Sequence, residues 1–386
     1  MHVTRPLSYY RSNPESWSLP PDGPNSGYVV LEDEDSVTYS CFGMSKDRKF
    51  IDLPFPQNKN LTTTYSSGKH RHYQDVIFFP VINQPLSSNL YYVIESHGKH
   101  KGKAYACSTE EDMMNTCCCD EVEDVKPRPF DPRDTYQQFE IANYKNGGFL
   151  AKSVAHGALP PYFLRRKGWE VESHTLRSYT LGEALGLDST LRARLPDLNF
   201  PLPHQSSQVV VIGKWYCPFM FIKDDMLTSR DQMANSVFYE MTLEQRWEQI
   251  FERDGIDHGN IVMVNAVVQR EVVWVGGKEA VWDENNVVDY TMWFKSFGID
   301  GEEVSVGLSL EIVERMKWEE ERVGWFGGDD RMTRVDRVEE FERGAEGWRK
   351  FGCFVLVESF VLKRMDGSVV MTYNFKHTHQ IKCLWE

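Results

Sequence analysis

The sequence predicts an α+β fold that is β-rich, with mainly antiparallel sheets of long strands and few short helices. Three observations predict it. Proline and glycine punctuate short β-branched and aromatic runs in the first half. The second half carries long stretches in which apolar and polar residues alternate with period 2. Near the C-terminus an Asp-Gly pair, Asp366-Gly367, separates two such stretches, a strong hairpin signal.

In the N-terminal half, residues 26–32, 76–82 and 90–96 read as strands. The third runs through a basic turn, residues 97–103, into Ala104-Tyr105-Ala106-Cys107. The first and third strands each precede a cysteine, Cys41 and Cys107, which hints at an old repeat. Thr180 with Glu183 forms a capping-box pattern and predicts one short helix over 180–187. Pro196, Pro201 and Pro203 then mark a linker, so a loop-rich β domain is expected over 1–205 and an antiparallel β domain with long strands over 206–386.

In the second half, residues 236–253 alternate and read as a strand, although Thr242 and Gln245 offer a competing helix cap. Residues 306–319 echo that segment through Leu310-Glu311-Ile312-Val313 and Trp318, and are expected to form an equivalent strand. Residues 262–275 add a β-branched run, and the charged stretch 329–343 is open between a helix and an insertion.

Composition narrows the function. The chain has 386 residues, which at about 150 residues per domain allows two or three domains. Its 41% hydrophobic and 13% aromatic content supplies a sizeable core, so wholesale disorder is excluded. The net charge is −14, and no nucleic-acid partner is expected. Residues 1–200 carry 22 basic against 25 acidic side chains, whereas 201–386 carry 21 against 32, so the second half should repel anionic surfaces. No apolar stretch suits a secretory signal or a membrane anchor, and a cytoplasmic chain with reduced cysteines is expected.

Several segments resemble a known family. Arg5-Pro6-Leu7-Ser8, Gly23-Pro24-Asn25-Ser26-Gly27, residues 53–58 and 126–131, the stretch from Tyr239 to Glu248 and the ending His377-Thr378-His379-Gln380-Ile381 resemble a plant family known only as domain of unknown function 1262. The resemblance runs from residue 5 to the C-terminus and implies a flowering-plant protein linked to stress or defence responses. It implies no activity, no cofactor and no catalytic residue.

Candidate sites therefore come from the residues. Pairing the last two strands about Asp366-Gly367 sets Glu358 opposite Phe375, Leu356 opposite His377 and Phe354 opposite His379, all on one sheet face with Cys383. A carboxylate on that largely apolar face must be protonated or paired. Glu358, His377 and His379 are candidate acid–base residues or a candidate metal triad, and a structural Glu–His hydrogen bond accounts for the same pattern. A second metal candidate joins His97, His100 and Cys107 to Cys117 and Cys119, although adjacent strand residues point apart. Trp215, Tyr216, Trp274, Trp282, Trp293 and Trp325 either line a ligand pocket or pack the core.

Phosphate-loop, H-E-x-x-H and G-x-S-x-G motifs are all missing from the sequence. The leading expectation is a binding or interaction protein for an unknown small molecule or protein partner, with no cofactor. The alternatives are a cofactor-independent or metal-assisted enzyme built on Glu358, His377 and His379, and a β-pore-forming protein.

Overall fold

The computed structural model describes the chain outside residues 41–44, 110–112, 117–118, 177–178, 203, 225–226, 256–259, 286, 329–330 and 342–346. The fold is β-rich, 48% strand and 16% helix, and its sheets are mostly antiparallel. Two compact units make up the chain, one holding 1–184 with 218–220 and 227–237, the other holding most of 185–386.

The first unit is organised by a seven-stranded antiparallel sheet. Its central strands His70–Pro80 and Leu90–Glu95 carry the aromatic runs read from the sequence. Phe78 stacks on Trp169 with ring centroids 5.9 Å apart, and Phe55, Tyr91 and Phe149 complete the buried cluster. The basic turn follows the Leu90–Glu95 strand, and Ala104 bridges back to Ile94. Cys41, the first cysteine of the suggested N-terminal repeat, lies outside the described residues.

The second unit is built on long strands in the order Val210–Pro218, Phe238–Asp254, Lys350–Arg364, Val369–Trp385 and Glu271–Val275. The strand Phe238–Asp254 pairs antiparallel with Lys350–Arg364 from Tyr239 opposite Arg364 to Asp254 opposite Lys350. Alternation therefore prevails over the Thr242 cap. A ribbon of Ile261–Gln269 and Met332–Glu340 buries Val262 and Val264 in a cluster with Phe351 and Cys353. The charged stretch 329–343 thus supplies a strand.

Three sequence expectations are corrected. The first is the helix at 180–187. Gly182 and Gly186 each weaken a helix by about 1 kcal/mol, and both backbone groups of Ala184 instead bond Thr4, the Thr4 N–H donating to the Ala184 carbonyl at 2.8 Å and the Ala184 N–H donating to the Thr4 side chain at Oγ1, 2.7 Å away. The helix forms at Ser189–Arg194, where the Asp188 side chain accepts from the Leu191 N–H.

The second correction is the repeat. Residues 303–309 are a strand, but Leu310–Glu321 is a helix with Ile312, Val313, Met316, Glu319 and Glu320 buried. That spacing is helical, and the Arg315–Glu319 ion pair at i, i+4 belongs to a helix as well. The echo of residues 237–250 is coincidental.

The third correction is the end of the last hairpin. Lys350–Arg364 and Val369–Trp385 do pair, with Glu358 opposite Phe375 and Leu356 opposite His377. Beyond that point Val355 faces Ile381 and Phe354 faces Lys382, so Thr378, His379 and Gln380 bulge out. A three-residue insertion is odd, so it moves later side chains to the opposite face. Cys383 consequently faces Cys353 and leaves the face of Glu358. The turn also differs from the two-residue type I′ loop that an Asp-Gly pair favours. Only Gly367 has positive φ, at 86°, and the Arg364 N–H bonds the Ser368 carbonyl, which makes a three-residue loop with glycine in the left-handed position.

Candidate functional site

A buried polar cluster lies within the second unit, around Arg192. The short helix Ser189–Arg194 presents Arg192 to the Lys350–Arg364 strand, where Arg192 Nε donates to Glu358 Oε1 at 3.1 Å and Arg192 Nη2 donates to Glu358 Oε2. This fork on a carboxylate is the strongest side-chain pairing available to either group. Gln245, the register partner of Glu358 on the neighbouring strand, donates from Nε2 to Glu358 Oε1 at 2.6 Å.

The helix Leu310–Glu321 brings the third side. Arg192 Nη1 donates to the Glu319 carbonyl at 3.0 Å, and Arg192 Nη2 lies 3.4 Å from Glu320 Oε1. His377 Nε2 lies 2.9 Å from Glu320 Oε2 and 3.8 Å from Glu358 Oε2. Glu319 turns toward Arg315 and Arg322, both of which cover the Trp318 ring at 4.5 Å. Glu320 and His377 are fully buried, and Glu358 is only 1% exposed.

Electrostatics distributes the protons. Burial, reinforced by the negative charge of Glu358, pushes the Glu320 carboxyl well above the usual carboxylate range. Burial acts in the same direction on Glu358, but the hydrogen bond and charge of Arg192 outweigh it and hold this carboxyl low. Burial pushes His377 down to about 4. At neutral pH the cluster therefore holds one Arg192–Glu358 ion pair, a neutral Glu320 and a neutral His377. This arrangement leaves no uncompensated charge on the buried Arg192–Glu358 pair or on its neighbours Glu320 and His377.

Of the three residues predicted as one site, the structure brings Glu358 and His377 together, and the His379 ring stays 5.5 Å from that of His377 while losing its place opposite Phe354. His379 is exposed on the bulge, where its Nε2 lies 3.1 Å from the Val323 carbonyl. Arg192, Gln245 and Glu320 were missed. An Asp188-x-x-Leu191 cap places Arg192 on a helix, and a helical reading of 310–321 places Glu320 on its buried face.

Among the described residues, Glu320, Glu358 and His377 are the group whose ligand atoms could reach one metal ion, all lying within 4.8 Å of one another. The Arg192 guanidinium already occupies both Glu358 oxygens, so a cation must displace it. A cleft of about 300 Å³ reaches Arg192, Gln245 and Glu358, and His377 does not line it. In the other predicted metal set, His97 is exposed and His100 half-buried, while the buried Cys107 thiol is pushed up to about 11 by burial. Cys117 and the Cys119 side chain lie outside the described residues.

Two larger clefts flank Asp283. One, of about 650 Å³, is lined by Val281, Trp282, Val288 and Trp293 and by the Lys295–Glu303 ion pair at 2.7 Å. The other, of about 500 Å³, is lined by Arg270, Arg331 and Trp325 and by the Lys317–Glu284 pair at 2.8 Å. Arg331 covers the Trp282 ring at 4.1 Å and donates to the Trp282 carbonyl, which braces the wall between them. Of the aromatic residues noted in the sequence, Trp282, Trp293 and Trp325 line these clefts, Trp215 and Tyr216 are core, and Trp274 is exposed.

Comparison with known proteins places this geometry in context. Residues 22–119 match the family model described as "Protein of unknown function (DUF1262)". No curated protein matches the chain. Among solved structures, the crystal structure of Cry35Ab1 is similar at a TM-score of 0.46 and 10% identity, over 86% of this chain and 90% of that chain.

Proposed function

We propose that the chain is a ligand-binding protein without catalysis, and that its ligand is a small neutral or zwitterionic polar molecule held beside Asp283. The observation that carries this reading is the pair of clefts on either side of that residue. Their walls combine indole surface with paired charges, Lys295–Glu303 and Lys317–Glu284, beside the Asp283 carboxylate, which together offer donors and acceptors. The protein's net charge of −14 disfavours anions and nucleic acid. The Arg192 cluster serves folding in this reading, because its one carboxylate is satisfied by Arg192 and Gln245. The resemblance to plant proteins supports a role in stress or defence.

The test is a thermal-shift screen of neutral sugars and free amino acids, followed by calorimetry on any hit. A hit whose affinity falls at least tenfold in Trp293→Ala or Asp283→Ala supports the assignment. A hit indifferent to both substitutions overturns it.

The cleft at Glu358 favours a second reading, an acid–base enzyme using Glu358 and His377 with His379 beside His377, or a metal-assisted one using Glu358 and His377 with Glu320. It requires Arg192 to release Glu358 on substrate or metal binding.

A further inference from the structure

Cys353 and Cys383 lie on the face opposite Glu358, beyond the bulge, and they are register partners. The backbone determines what kind of pair they form. Lys350 and Glu386 exchange both bonds, each N–H donating to the other's carbonyl at 2.9 Å. Opposed residues in an antiparallel pair alternate between hydrogen-bonded and non-hydrogen-bonded sites. Stepping inward from Lys350–Glu386 through Phe351–Trp385 and Gly352–Leu384 puts Cys353–Cys383 at a non-hydrogen-bonded site. Cα atoms at such sites are about 4.5 Å apart and the side chains are at their closest. A disulfide spans Cα separations of roughly 4.4–6.8 Å, so the bond can close without moving either strand far.

The thiols already interact. A hydrogen bond between them is the largest influence on both, lowering Cys353 and raising Cys383. Both are free, Cys353 buried and Cys383 partly exposed. Phe351 and Trp385, two positions away on each strand, pack at 4.4 Å and restrict the approach to small reagents.

We propose that Cys353 and Cys383 form an oxidation site, a cross-strand dithiol that hydrogen peroxide converts to a disulfide. The hydrogen bond from the Cys383 thiol favours the thiolate of Cys353, which attacks the peroxide. An S–O bond forms, the peroxide O–O bond breaks, and hydroxide leaves and takes up the proton that Cys353 released. The Cys383 sulfur then attacks the Cys353 sulfenic acid, the S–S bond forms, the S–O bond breaks, and a second water departs with the Cys383 proton. Two electrons pass from the thiols to peroxide, which becomes two waters. Closure ties Ile381–Trp385 to the Lys350–Arg364 strand on the far side of the bulge.

The experiment treats the reduced full chain with hydrogen peroxide, blocks remaining thiols with iodoacetamide and maps peptides without reduction. The expected result is a peptide joining Cys353 to Cys383, lighter by two hydrogens than its reduced halves together. In Cys383→Ser the resolving thiol is gone, and Cys353 should proceed to sulfinic acid, at least tenfold more of it than in the native chain. Free, alkylated Cys353 and Cys383 after peroxide would overturn the proposal. So would equal sulfinic acid at Cys353 with and without Cys383.

Discussion

The proton assignment in the Arg192 cluster makes two similar substitutions diverge. Glu358→Gln removes the carboxylate that accepts from Arg192 Nε and Nη2 and from Gln245. One amide NH₂ then faces a guanidinium donor, and besides the Glu319 carbonyl at 3.0 Å Arg192 keeps only the more distant carboxyl groups of Glu320 and Glu319, at 3.4 and 3.7 Å. Breaking a buried pair in this way costs about 3–5 kcal/mol. Ionisation of Glu320 offsets part of that loss, because the Glu358 charge is one of the causes holding it protonated, so about 3 kcal/mol is expected. Glu320→Gln instead resembles the neutral acid already present and should cost about 1 kcal/mol or less. Urea unfolding at pH 7 of both variants and the native chain measures the difference. Equal losses, or the larger loss in Glu320→Gln, would refute the assignment of the proton to Glu320.

Other outcomes follow from the same geometry. His377 titrates near 4 in the folded state and near 6.5 when unfolded, so its contribution is present above pH 6.5 and lost as pH falls toward 4. Glu320 runs the other way, since its raised folded pKa gives stability present below about 4.5 that is lost as pH rises through the folded value. The two offset each other in the native chain between about pH 4.5 and 6.5, and Glu320→Gln should uncover an acid-side loss approaching 1.4 kcal/mol per pH unit; a flat profile of urea midpoints against pH in that variant would contradict it. Asp188→Ala removes the cap that positions Arg192 and should destabilise the protein by about 1 kcal/mol in urea unfolding, whereas Thr180→Ala, at the abandoned helix start, should change stability by less than about 0.5 kcal/mol.

The central Glu358–His377 relation was legible because the strands around Asp366-Gly367 alternate cleanly and the turn pins their register. The rest of the cluster was hidden for separate physical reasons. Arg192 sits on a helix of six residues, too short for periodicity to reveal, and the Thr180–Glu183 pattern drew attention to a segment whose backbone is committed to Thr4. Glu320 was obscured because Leu310-Glu311-Ile312-Val313 also fits a strand, and only the burial of Val313, Met316 and Glu320 together distinguishes the helix. His379 and Cys383 were displaced by a bulge at Thr378–Gln380, where no glycine or proline marks the insertion. The Asp283 clefts depend on segments that are distant in sequence, such as Val288 and Glu303 or Arg270 and Lys317, and local patterning carries no trace of such meetings.

The claim that binding at Asp283 is separate from the Arg192 cluster is tested most directly by calorimetric titration of one confirmed polar ligand into the native chain, Trp293→Ala and Glu358→Gln, each at a temperature where it is fully folded. The expected result is at least a tenfold loss of affinity in Trp293→Ala and unchanged affinity in Glu358→Gln. Unchanged binding in Trp293→Ala with loss of binding in folded Glu358→Gln would contradict it and move the site to Glu358.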